Sequence, residues 1–139
     1  MRIGVFCSGG DAPGMNACVR AVVRSGVSRG HEVIGIRHGY RGLLEEDFWI
    51  NSGGQPLMTV GRVANWASFG GAFLGSSRSE EFRQPEGQAR AAEVLRKHRI
   101  DALVAIGGDG TFNGAVSQSV PDRIPLRQCR ARHNRPGWP

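Results

Sequence analysis

The sequence predicts an α/β protein in which a parallel sheet is flanked by helices. Three observations carry this expectation. Apolar runs of strand length at residues 2–7, 32–37 and 100–106 alternate with stretches of helical periodicity. Two of these runs end in glycine-rich turns, Gly9-Gly10-Asp11-Ala12-Pro13-Gly14-Met15-Asn16-Ala17 and Gly107-Gly108-Asp109-Gly110-Thr111, and each turn leads into a helix. A content of 21 glycines and 40% hydrophobic residues in 139 suits tight strand–helix turns around one core.

Residues 2–7 form an apolar run bounded by Ser8-Gly9-Gly10, the pattern of a buried strand. From Pro13 to about Ser28, Met15, Cys18, Val19, Val22, Val23 and Val27 recur at helical spacing, with proline near the first turn and Gly30 closing the helix. Residues 32–37 give a second strand. The unit is therefore strand–helix–strand, with a right-handed crossover expected. Residues 38–47 read as a loop, and a short helix is expected near 60–66. Residues 70–81 are a Gly/Ser/Arg loop. Residues 86–98 read as an amphipathic helix whose inward stripe includes Ala89, Ala92, Val94 and Leu95. Residues 100–106 are the clearest strand, followed by a helix from Thr111 to about Gln118. Trp49, Trp66, Cys7 and Cys18 are expected to pack, and Trp138 to lie in an exposed tail.

The net charge of +6 is unevenly placed. Residues 1–116 carry 13 basic and 11 acidic side chains, whereas 117–139 carry Arg123, Arg127, Arg130, Arg132 and Arg135 against Asp122 alone. The basicity is thus a tail property. No aromatic residues interleave with these arginines, which argues against a nucleic-acid partner. No apolar run approaches the roughly 20 residues of a membrane span, and no signal-peptide pattern follows the N-terminus. Three cysteines without paired spacing suit a reduced, cytoplasmic setting, and they form no metal-ligand spacing with the four histidines.

The paired turns point to polyphosphate chemistry. A strand tip delivers backbone N–H groups, glycines permit close approach, and the next helix contributes its positive N-terminus. An acidic residue beside each turn can serve a divalent cation or a hydroxyl proton. Taken alone, Gly107-Gly108-Asp109-Gly110-Thr111 is similar to turns of lipid and NAD kinases too. The order and spacing of Ser8 through Ala17, Gly39-Tyr40-Arg41-Gly42, Leu74-Gly75-Ser76-Ser77-Arg78 and Glu81-Phe82-Arg83 resemble the N-terminal part of an ATP-dependent 6-phosphofructokinase. The resemblance covers about residues 2–116.

It implies a Rossmann-like α/β fold, here an incomplete fragment of a larger two-domain enzyme. The implied reaction is transfer of the ATP γ-phosphoryl group to fructose 6-phosphate in glycolysis, with Mg²⁺, by a cytoplasmic, tetramer-like homo-oligomer. The implied ATP-binding residues are Gly9, Tyr40, Arg78, Ser79, Gly107, Gly108, Asp109, Gly110 and Thr111. Asp109 would help hold Mg²⁺, and Arg78 would spread charge developing on the phosphoryl group. Arg20 and Arg24 match an allosteric effector pair, one helical turn apart; a solvated basic face is the plain alternative. For Arg78 and Asp109 the plain alternative is a loop-fixing salt bridge. Gly110 favours ATP over pyrophosphate, because pyrophosphate-using relatives commonly carry an acidic residue there.

The departures matter equally. After Gly114-Ala115 the family continues to a Gly-Thr-Ile-Asp-Asn-Asp segment whose first aspartate is the base, and this chain has no such segment. The later sugar-phosphate ligands are missing as well, and Ala72 stands where a threonine is usual. Losing general-base assistance costs on the order of 10²–10⁴-fold, so the chain is expected to be inactive alone. Residues 117–139 hold four of the seven prolines, and 17 of the chain's 18 basic residues are arginine. This composition predicts a disordered basic tail, or out-of-frame reading of GC-rich coding DNA.

Overall fold

The computed structural model describes residues 1–118 and 126–130, with side chains described through Ala115. Strand β1 (Arg2–Cys7) leads to helix α1 (Met15–Ser28), strand β2 (Glu32–Gly35) and helix α2 (Gly39–Leu44). After a long irregular stretch come helix α3 (Pro85–Lys97), strand β3 (Ala102–Gly107), helix α4 (Asp109–Gln118) and strand β4 (Leu126–Arg130). The described strands form one sheet in the order β2-β1-β3-β4. Every pairing is parallel, with Val5 opposite Gly35 on one side and Val104 on the other.

Both faces of β1 are covered, which is why its sequence reads as continuous apolar rather than alternating. Phe6 faces α2 and α3 with Leu43, Leu44, Val94, Leu95 and Leu103. Val5 and Cys7 face α1 and the irregular stretch, among Val19, Val23, Val63, Trp66 and Leu74. Helix α3 opens with Pro85 at its first turn and carries Glu86 there, with Arg96 and Lys97 at the far end, an order that complements its dipole.

Four elements differ from the sequence expectations. Residues 39–44 form α2 rather than a loop. Three glycine or polar positions mask its short apolar face of Tyr40, Leu43 and Leu44, which only the packed core reveals. The stripe of α3 is Gly87, Ala91, Val94 and Leu95, so Ala89 is exposed and Ala92 only half-buried. Between 60 and 68 only a 3₁₀ turn forms, Trp66–Ser68, and the helix expected at 60–66 is not present. Strand β4 lies inside the segment that reads as a tail without strand periodicity. It pairs by backbone from Leu103 opposite Leu126 to Gly107 opposite Arg130, a bonding pattern that needs no apolar alternation. Residues 119–125 and 131–139, including Trp138, lie outside the described residues.

The outer edge of β2 is covered as well. The Trp49 N–H donates to the Gly35 carbonyl at 2.8 Å and Met58 N–H to Val33 at 2.7 Å, so residues 47–58 act as a cover strap for that edge. Among the described residues no helix is long and apolar enough to cross a membrane.

Candidate functional site at the strand carboxyl ends

The carboxyl ends of β1, β2 and β3 meet a single loop, and hydrogen bonds lock the four together. The Ser8 N–H donates to Ile106 O at 2.9 Å, which joins the β1 and β3 tips. Gly9 N–H (3.3 Å) and Ser8 Oγ (3.2 Å) both donate to Ser77 O. Ser77 Oγ in turn donates to His38 O at 2.7 Å, and His38 N–H to Leu74 O at 2.8 Å. The loop carrying Arg78 is therefore stitched to the ends of β1 and β2. In an open parallel sheet this is the end where ligands bind.

The two glycine turns are one unit. Thr111 Oγ1 donates to Ser8 O at 3.2 Å, and Thr111 is buried. Gly9 adopts φ +88°, a left-handed conformation open to glycine, and a Cβ there would sit 3.6 Å from Thr111 Oγ1. Gly107 is the close-packing point: a Cβ on it would lie 2.5 Å from Ser8 O and overlap the Thr111 side chain. Around Gly10, Gly108 and Gly110, by contrast, a Cβ would meet nothing within 4 Å. Asp109 and Gly110 open α4, so their N–H groups have no acceptor within the helix. Glycines thus pack the inner side of the turns and leave the outer side open.

Tyr40 is a buried strut. Its hydroxyl donates to Thr111 O at 2.7 Å, its ring stacks on Phe82 at 3.8 Å, and Phe6 meets its edge at 4.8 Å. Burial pushes its hydroxyl well above the usual phenol range. Ser79 accepts from Phe82 N–H at 3.2 Å and so starts the 3₁₀ turn Glu81–Arg83. Arg78 and Asp109 are exposed, and neither has a hydrogen bond or ion pair among the described residues. No loop-fixing salt bridge of these two side chains is present among the described residues. Asp11 is exposed beside the first turn, and its charge adds to burial in pushing the Cys7 thiol up to about 12, with burial the larger cause.

Arg20 and Arg24 lie one helical turn apart on α1 and differ in their contacts. Arg20 Nε donates to Ala64 O at 3.0 Å, fastening α1 to the irregular stretch, whereas Arg24 is exposed. Among the described residues no group of three or more His, Cys, Asp or Glu side chains is placed to hold a metal by itself.

Asn16 and Ser77 lie within the glycine-rich turn 9–17 and the motif 74–78, but the sequence by itself assigns neither of them a role. Asn16 is 1% exposed beside Met15 on the buried face of α1. A polar residue within that apolar stripe was the available signal. Ser77 sits next to Arg78 in the motif Leu74-Gly75-Ser76-Ser77-Arg78, and its bonds to Ser8, Gly9 and His38 appear only on folding.

Compared with known proteins, residues 2–126 match the family PFK, phosphofructokinase. An ATP-dependent 6-phosphofructokinase of Oceanobacillus iheyensis is 54% identical over 114 residues, covering 82% of this chain and 34% of that protein. One of Halothermothrix orenii is 48% identical over 124 residues, covering 89% and 35%. Among solved structures, Pichia pastoris phosphofructokinase in the T-state superimposes with a TM-score of 0.77 at 39% identity, over 89% of this chain and 14% of that one. A pyrophosphate-dependent phosphofructokinase of Marinobacter aquaeolei shares the fold, with a TM-score of 0.76 at 21% identity over 92% of this chain and 33% of that one. The chain spans about a third of the length of the curated relatives it matches.

Proposed function

The chain belongs to the phosphofructokinase family, and from that membership we propose that it is the nucleotide-binding part of an ATP-dependent 6-phosphofructokinase. In the whole enzyme it would bind MgATP for phosphoryl transfer to fructose 6-phosphate. The carrying observation is the Thr111 Oγ1 to Ser8 O bond, which presents two Gly-Gly-Asp turns as one surface, packed inside and open outside.

The residues fit an oligophosphate. Open space at Gly10, Gly108 and Gly110 admits phosphate oxygens to the backbone, and the unpaired N–H groups opening α4 are donors for them. Arg78, exposed and without an ion pair among the described residues, supplies a permanent planar charge for the phosphoryl oxygens. Gly9, Gly107 and Thr111 shape the turns, Tyr40 braces them from beneath and Ser79 sets the chain after Arg78. Mg²⁺ takes few protein ligands when phosphates complete its shell, so Asp109, through water, is a sufficient carboxylate. The cation would neutralise charge on the phosphates; orientation and N–H donation are this chain's part.

Gly110 supports ATP over pyrophosphate, since the space above it is open. The base segment is absent from this sequence, so the chain alone would bind without turnover. The division near residue 116, the effector role of Arg20 and Arg24, a tetramer-like assembly and a cytoplasmic setting belong to the same proposal.

The test is calorimetric titration of the 139-residue chain with MgATP and with magnesium pyrophosphate, alongside a coupled phosphofructokinase assay. Binding of MgATP in preference to pyrophosphate, with no turnover, is expected. Absence of ATP binding, or salt-sensitive DNA binding in its place, would sink the reading; turnover above a no-enzyme blank would refute inactivity.

A further inference from the structure

The segment 69–77 contains no helix or strand, yet it ends at Arg78. Its shape is therefore set by whatever satisfies its backbone groups. At the far end those partners are Ser8, Gly9 and His38. At the near end Phe69 N–H closes the preceding 3₁₀ turn onto Trp66 O at 3.3 Å, and among the described residues the long-range partner is Asn16. Asn16 Nδ2 donates to Phe69 O at 3.0 Å and to Gly70 O at 3.2 Å, and Oδ1 accepts from Phe73 N–H at 2.8 Å. The opposite amide orientation would set an oxygen against two carbonyl oxygens, so the network itself fixes the assignment. Packing adds the Phe73 ring stacked on Trp66 at 4.8 Å and Phe69 edge-on to Phe73 at 5.8 Å, but Phe69 and Phe73 stay 57% and 43% exposed, so the polar bonds of Asn16 set the backbone course.

Asparagine is the residue this junction needs. It carries two donor hydrogens and an acceptor on a short stem, and all are used. The junction lies in the first turn of α1, immediately after Gly14, so the helix that follows the first glycine turn also holds the start of the Arg78 loop. Between the two anchors, Gly75 N–H closes a turn onto Ala72 O at 2.8 Å and Leu74 is buried. Movement at 69–73 would pass along this short tether toward Arg78, whose own side chain has no partner among the described residues.

We propose that Asn16 is a positioning residue for Arg78, fixing the turn at 69–73 so that the guanidinium is presented beside the two glycine turns. The inference rests on the nucleotide-binding reading above and names the residue that sets its arginine. Asn16 touches no substrate; it acts through the loop.

The experiment is a double-mutant cycle on the full chain, read as MgATP affinity by calorimetry with thermal melts as the folding control. Arg78→Ala removes an exposed side chain and is expected to weaken MgATP on the order of tenfold. Asn16→Ala is expected to weaken it roughly threefold to tenfold in the native background and to add nothing in the Arg78→Ala background. If Asn16→Ala melts the chain, Asn16→Asp, which keeps the volume and the acceptor for Phe73, carries the same cycle. Equal loss in both backgrounds, or no loss while the parent chain binds MgATP, would show Asn16 to be merely structural and overturn the proposal. Absence of MgATP binding by the parent chain would instead bring down the nucleotide reading, and the role of Asn16 with it.

Discussion

Tyr40 Oη donates a hydrogen bond of 2.7 Å to the carbonyl oxygen of Thr111, across 71 residues of sequence. That bond ties helix α2 to the first turn of α4 and so supports the second glycine turn from below. Tyr40→Phe keeps the stack on Phe82 and the edge contact with Phe6 but deletes the donor. We expect a loss of about 1 kcal/mol, since one neutral hydrogen bond is removed and a buried acceptor loses a partner. Phe82→Ala, which opens a cavity under the same ring, should cost about 3–5 kcal/mol. Urea denaturation of the two variants checks the order; equal costs would mean that Tyr40 contributes through packing no differently from its neighbour.

Gly107 and Gly108 are adjacent and should respond in opposite ways. Gly107→Ala drives a methyl group into Ser8 O and the Thr111 side chain, and a loss above about 2 kcal/mol is expected. Gly108→Val meets open space, so its thermal midpoint should stay near that of the parent chain while MgATP binding falls. A Gly108→Val chain that melts early would show the outer side of the turn to be structural.

The same reasoning applies to donor choice. Gly110→Asp adds a carboxylate in the open space over the first turn of α4. It should weaken ATP more than pyrophosphate, which competition titration would detect as a narrowed or reversed preference. An unchanged ratio would remove Gly110 from the explanation of donor choice.

Cys7 should be chemically silent in the native chain. Its thiol is pushed up to about 12 by burial, with the Asp11 charge adding to the effect, so thiolate is scarce near neutrality. Peptide mapping after iodoacetamide treatment at pH 8 should find Cys7 unmodified under native conditions and modified in denaturant. Native modification at a rate matching an unfolded peptide would contradict the burial.

Acid should release the junction of α2 with α3. Glu46 is held below its ordinary 4.5 chiefly by hydrogen bonds from Lys97 and then His98. Its folded value is lower than its unfolded one, so the contribution is complete above the unfolded value and fades as pH falls through the folded value. The stability difference between the parent chain and Glu46→Gln should therefore be largest near neutrality and shrink toward pH 3. A difference that grows with acid would reverse the assignment.

The sequence alone determined the alternation of strands and helices and the two glycine turns, because buried parallel strands need unbroken apolar runs and tight strand–helix turns need glycine. Residues 2–7, 102–107 and the helices after them were legible for that reason, as were the open positions at Gly108 and Gly110. Tertiary structure decided what local pattern does not encode. Residues 39–44 are too short to show helical periodicity and became α2 only because Tyr40, Leu43 and Leu44 fill the space over Phe6. Strand β4 has no apolar alternation and is a strand because β3 offers it backbone partners. The division of labour within the site was equally hidden. Thr111 and Tyr40 face inward, Arg78 and Asp109 face outward, and Asn16 holds a loop more than fifty residues away. Such roles depend on hydrogen-bond partners brought together by folding, and no reading along the chain contains those distances.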